Sequence, residues 1–126
     1  MEKHIVTTPQ APTPIGPYSQ GVLKNRLLFI SGQIPIDPKT GQVLAPDIEA
    51  ETKQVMENLK AILLQAGMNF GHVMKTTIYL KDMRLFSKVN EVYGIYFESN
   101  FPARETVEVS GLPRDVSIQI SVIAME

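Results

Sequence analysis

The clearest pattern in the chain is its last one. Val116, Ile118, Ile120, Val122 and Ala124 alternate with Ser117, Gln119, Ser121 and Ile123. A period of two places one set on each face of a strand and predicts one buried face. A second alternation precedes it. Ala103, Glu105, Val107 and Val109 point one way, and Arg104, Thr106 and Glu108 the other. Pro102 suits the first position of such a strand, because proline cannot donate to a ladder. The connector Gly111-Leu112-Pro113-Arg114-Asp115 is short, which predicts an antiparallel hairpin with a register near Thr106–Gln119. That register would put Arg104, Thr106, Gln119 and Ser121 on one surface.

Two further strands are predicted. Leu27-Leu28-Phe29-Ile30-Ser31-Gly32-Gln33 is an apolar run ending in small polar residues, as in a strand buried on both faces. Val73 to Leu80 is β-branched. Tyr18-Ser19-Gln20-Gly21-Val22 is a shorter β-like run. Helical spacing appears over Asp47–Ala66, where Ile48, Thr52, Val55, Leu59, Ile62, Leu63 and Ala66 form one stripe. Asp47 is its cap, Glu49 and Glu51 lie near the positive end of its dipole, and Gly67 closes it. A second helix is predicted from Arg84 to Glu98, with Asp82 as cap and Asn100 and Pro102 as terminators. Gly94 inside it costs about 1 kcal/mol relative to alanine.

Asp37-Pro38-Lys39-Thr40-Gly41 reads as a turn. Residues 9–17 contain four prolines, so they are extended rather than helical, and they end beside a tyrosine. An arm of this kind can lie ordered along a cleft. Strands, helix, strand, helix, two strands is an α+β order, one sheet with two helices on one face. The opposite sheet face needs cover. Association through it is economical, and a closed ring leaves no raw edge.

Composition narrows the function. The 126 residues suit one domain, 1–126, and 44% hydrophobic with 20% charged is ordinary for a globular protein. A net charge of −1 with no basic block gives no electrostatic footprint for nucleic acid. The absence of cysteine excludes disulfides, a thiol nucleophile and cysteine-ligated zinc. His4 and His72 lack metal-pair spacing, and no phosphate-binding glycine loop is present. No apolar run has the length of a signal peptide or a membrane span, so a cytoplasmic protein is expected.

Arg104 is the leading candidate for chemistry. Fixed behind Phe101-Pro102, a guanidinium offers a planar two-pronged donor to a carboxylate. The alternation alone also allows it to sit in solvent or to pair with Glu105 or Glu108. Gly32 permits close approach to the backbone, and Ser31 brings a hydroxyl to a strand end.

Ile15-Gly16-Pro17-Tyr18-Ser19-Gln20, Ser31-Gly32-Gln33-Ile34-Pro35, Val89-Asn90-Glu91-Val92-Tyr93 and Phe101-Pro102-Ala103-Arg104 occur in order through nearly the whole length. With Leu112-Pro113 and the closing strand, they resemble the reactive-intermediate deaminases, the RidA-type enamine/imine deaminases. The resemblance implies a chorismate-mutase-like α+β fold with one mixed sheet. It also implies a homotrimer forming a central barrel, with three clefts between subunits. The implied activity is hydrolysis of 2-aminoacrylate- and 2-aminocrotonate-type enamines and imines to 2-keto acids and ammonia, without metal or cofactor. Carried onto this chain, Arg104 clamps the substrate carboxylate. Tyr18, Ser31 and Gly32 line the cleft, and Thr106 stands where the family often has cysteine. Gln119 stands where many members have a glutamate that orients water. Glutamine holds water but accepts no proton; loss of a true general base would cost on the order of 10²–10⁴ in rate. The rival reading is a non-catalytic trimer that senses keto acids.

Overall fold

In the computed structural model, which describes residues 2–44 and 46–126, the closing alternation becomes an inner strand of a six-stranded mixed sheet. The strands are β1 (His4–Val6), β2 (Gly21–Lys24), β3 (Leu27–Gln33), β4 (Val73–Leu80), β5 (Ala103–Glu108) and β6 (Ile118–Met125). Their order is β1-β2-β3-β6-β4-β5. All neighbours run antiparallel except β4 and β5, which are parallel. The fold is α+β, as expected.

Helix α1 spans Ile48–Gln65, and the Asp47 carboxylate accepts the Ala50 amide as its cap. Gly67 follows at φ 76°, the left-handed position that closes the helix. The predicted stripe is the buried one: Val55, Leu59, Ile62 and Leu63 are fully enclosed, against Leu28, Ile78, Ile118, Ile120 and Ala124 of the sheet. Glu51 does more than favour the dipole. It is buried, and its carboxylate accepts the Ser117 amide at 3.0 Å, fixing the start of β6. Asn58 is also fully buried and donates to the carbonyls of Ile34 and Ile36.

The predicted hairpin between the last two strands does not form. β6 is already hydrogen-bonded to β3 on one edge and β4 on the other, and β5 adds to the far edge of β4. The connector is folded into a 3-10 turn at Pro113–Asp115 that carries the chain past the end of β4. The consequence is a change of face. Tyr79 pairs with Gln119 and with Val107, whereas Thr76 pairs with Arg104 and Val122. Directly paired residues share a face. Arg104 and Thr106 therefore lie on the helix-covered side and Gln119 on the open side, not on one surface.

Two other expectations are corrected. β3 is buried on one face only in this chain, since Phe29 is 48% exposed. The second helix is shorter than predicted. Asp82 caps a 3-10 turn at Met83–Leu85, and α2 runs Phe86–Ile95 before tightening into i→i−3 bonds at Tyr96 and Phe97. Neither β1 nor the β2–β3 turn is evident from pattern: β1 is only three residues long, and the turn is Asn25-Arg26, both at positive φ, rather than a glycine pair.

The open face carries Ile5, Phe29, Val107 and Met125, each exposed by 42% or more. Among the described residues no helix is long and apolar enough to cross a membrane.

Because Glu51 is the charged partner of a part-buried amide, Glu51→Ala should lower stability by about 2 kcal/mol in urea unfolding. Glu49→Ala, at the exposed neighbour in the same helical turn, should change it by less than about 0.5 kcal/mol.

Candidate functional site

The site residues fall into two groups. The first surrounds Arg104 at the start of β5. Its Nη1 donates to Asn90 Oδ1 at 2.7 Å. The guanidinium carbon lies 5.2 Å from the centre of the Tyr93 ring and 5.3 Å from that of Phe86, both from α2. Two cation–π contacts and one hydrogen bond to a carboxamide oxygen thus hold a planar cation in place. Neither nearby acid neutralises it. Glu105 pairs with Lys75 on the open face, and Glu108 accepts the Met83 amide. Among the described residues Arg104 has no carboxylate partner. The cavity beside it, of 360 Å³, is lined by Asn90, Tyr93, Gly94, Phe101, Pro102 and Arg104, with no acid. Gly94 packs against nothing; a methyl group there would enter open space. Nothing in the structure requires glycine at this position.

Tyr93 and Thr106 back the group. The Tyr93 hydroxyl donates to Thr76 Oγ1 at 3.0 Å. Burial pushes the Tyr93 phenol up; the Thr76 contact and the Arg104 charge oppose this. The ring therefore stays a neutral face for the cation at ordinary pH. Thr106 shares the face of Arg104, two residues on, and its hydroxyl oxygen is buried with no hydrogen-bond partner. An unpaired buried hydroxyl costs stability unless it serves something that comes and goes.

The second group lines a cavity of 550 Å³ whose walls include Tyr18, Ser31, Gly32, Arg114 and Gln119, with Pro12, Ile15, Ile34 and Ile36. It forms where β3 leaves regular pairing: Ile30 faces Val122 but Gln33 faces Ile120, so one extra residue bulges at Ser31-Gly32. The Ser31 hydroxyl donates to the Ser19 carbonyl at 2.6 Å. Gly32 has the role its type suggests. A side chain there would come within 2.4 Å of Gln119 Nε2 and 2.9 Å of Gln119 Cγ, so only glycine lets Gln119 lie across the bulge. Tyr18 is 52% exposed, and its hydroxyl accepts the Ile15 amide at 3.4 Å. The proline-rich arm is ordered, as anticipated. Buried Gln20 ties it down, donating to the carbonyls of Thr8, Ala11 and Pro12 and accepting the Thr8 amide.

The cavity walls contain no carboxylate and no histidine. Among the described residues no group of acids and histidines could hold a metal ion. The structure therefore brings together Tyr18, Ser31, Gly32 and Gln119, and separately Arg104 and Thr106. Asn90, Phe86 and Arg114 were missed. Asn90 lay in a quoted motif, but only a fold that stacks α2 on β5 shows what it does.

Residues 8–126 match the family model described as endoribonuclease L-PSP. A RutC family protein of Pyrococcus horikoshii is 56% identical over 97% of this chain and 97% of its own. The human protein named 2-iminobutanoate/2-iminopropanoate deaminase is 44% identical, covering 98% of this chain and 90% of its own. A crystal structure of a Rid-family protein from Yersinia pestis, described as of unknown function, superposes with a TM-score of 0.97 at 47% identity. It covers 99% of this chain and all of its own.

The unpaired Thr106 hydroxyl generates a test. Thr106→Val should raise stability by about 1 kcal/mol in chemical unfolding, since it removes an unsatisfied buried group. If the hydroxyl serves the site, the same variant should bind a small 2-oxo acid more weakly by calorimetry.

Proposed function

The chain belongs to the Rid family, described also as endoribonuclease L-PSP, and from that premise we propose that it hydrolyses 2-aminoacrylate- and 2-aminocrotonate-type enamines and imines to 2-oxo acids and ammonia. The observation that carries the reading is the guanidinium of Arg104, stacked and hydrogen-bonded in place yet without a carboxylate partner among the described residues. Only one of its five N–H groups is engaged by a side chain, which leaves a fork for a substrate carboxylate.

The second half of the chemistry belongs to Gln119. Since Arg104 and Gln119 lie on opposite faces of one sheet, a complete site needs the Arg104 group of one copy against the Gln119 cavity of another. The exposed apolar residues of the open face favour such an association, and a ring of three is the closed form proposed for this 1–126 domain. In that cleft Arg104 holds the carboxylate, and the enamine, once tautomerised, presents its imine carbon. Water held by the Gln119 carboxamide adds to that carbon. The proton balance then closes without a protein base: both protons of the added water end on nitrogen, relayed through solvent, and as the C–N bond breaks the oxygen becomes the carbonyl of the 2-oxo acid and ammonia leaves. Tyr18, Ser31, Gly32 and Thr106 shape the cleft. Orientation supplies most of the rate, because imine hydrolysis is intrinsically easy.

The neutral Gln119 also favours a second reading, a keto-acid-binding trimer that regulates or protects another protein. A coupled assay separates them. With a serine or threonine dehydratase supplying the imine, the protein should accelerate its loss, and Arg104→Ala should reduce kcat/KM by about 100-fold or more. A pure binder gives oxo-acid binding with no acceleration.

Two further outcomes follow from the acid-free cavity. The rate profile should show no acid limb from a carboxylate of this cavity, whereas Gln119→Glu should introduce one, with rate lost as pH falls through about 4 or below, because the Arg114 guanidinium favours the charged carboxylate. Gln119→Glu should also speed turnover at neutral pH; an unchanged rate would reduce position 119 to scaffolding.

A further inference from the structure

In a cleft made by joining the two groups, the residues that line the two cavities would contribute two guanidinium ions and no carboxylate. Arg104 is one. Arg114, in the wall of the Tyr18 cavity, is the other. Its surroundings leave it uncompensated. The adjacent Asp115 is engaged by Lys81, which holds its carboxyl below the usual range. The side chain of Arg114 is exposed and, among the described residues, makes one long hydrogen bond, Nη1 donating to the Gly41 carbonyl at 3.3 Å. Its backbone is left-handed, φ 55° and ψ 23°, and Asp115 follows at φ 58°. Glycine adopts that conformation without penalty, so an arginine there is an unusual occupant. Gln119 lines the same cavity as Arg114. Its side chain is neutral, and a carboxylate in its place would repel a second anion entering the cavity.

Resting on the deaminase reading, we propose that the preferred substrates are 2-imino dicarboxylates, with 2-oxo dicarboxylates as products. Arg104 takes the carboxylate beside the imine, and Arg114 of the neighbouring copy takes the far one. The methylene spacer lies on Pro12, Ile15 and Ile34. Reaction at the imine is unchanged: water adds, ammonia leaves, and the far carboxylate takes no part. Gln119 then has two consequences, a weaker hold on a proton and freedom from repulsion of a dianion.

Binding of stable products tests this directly. Calorimetry with 2-oxobutanoate and 2-oxoglutarate should show the dicarboxylate binding about tenfold tighter, the value of one charge-assisted contact. Arg114→Gly suits the left-handed backbone and should keep its melting temperature while abolishing the preference. Arg114→Lys should keep part of it, and Gln119→Glu should lower the ratio of the two affinities. Equal affinities in the unmodified protein would overturn the proposal, as would an Arg114→Gly variant that weakens both ligands alike. The monocarboxylate coupled assay keeps the two readings apart. Acceleration there without dicarboxylate preference sinks this inference alone; no acceleration and no binding of either acid sinks both.

Discussion

A side chain on a strand has only two directions available, and neighbours in register share one of them. That constraint decides what this chain can do by itself. With β4 inserted between β5 and β6, Thr76 sets Arg104 under the helices and Tyr79 sets Gln119 on the open face. No rotamer change carries either side chain through the sheet. The helix side supplies rigidity, two aromatic rings and an amide around the guanidinium; the open side supplies the bulge, the glycine and the carboxamide. Each half is pre-formed, and the two lie on opposite faces of the sheet. Association in this fold would complete the chemistry as well as cover the apolar face.

Much of the scaffold was legible from pattern because its signals are local. The α1 stripe and cap, the Asp37–Gly41 turn and the alternation of β6 each depend on residues a few positions apart. The Gly41 amide meets the Asp37 carbonyl at 2.8 Å, as proline and glycine at those offsets dictate. Strand order was not legible. A five-residue connector is equally compatible with a hairpin and with a 3-10 turn leading past another strand, and only the competition for β6's edges selects between them. β4 wins with seven paired positions on β6, and the parallel pairing of β5 follows.

The candidate site divides along the same line. Gly32 was readable as a place of close approach, because a missing Cβ has few other uses at a strand end, although what approaches was not. Arg104 was readable as rigidly presented, yet its freedom from Glu105 and Glu108 depended on the opposite facing of one and the loop contact of the other. Asn90, Phe86 and Arg114 act through contacts between distant segments, so no spacing rule could have ranked them. Gly94 shows the limit of propensity. Its helix penalty was evident, and the structure shows no contact that offsets it: the residue borders open space beside the guanidinium.

The two halves differ in how they tolerate change, and this bears on what a replaced glutamate means. Arg104 is held by Asn90, Phe86 and Tyr93 on the helix side; altering Asn90 would loosen the cation without touching the open face. Gln119 lies against a glycine backbone, so its carboxamide is positioned by shape rather than by a bonded partner. Glutamine and glutamate have nearly the same shape. Exchange between them leaves the bulge and the packing of β6 intact while changing one charge in a cavity that otherwise holds only a cation. A position with that property can be altered for electrostatics alone. A neutral residue at 119 can therefore change the charge of the cavity without disturbing the strand that carries it.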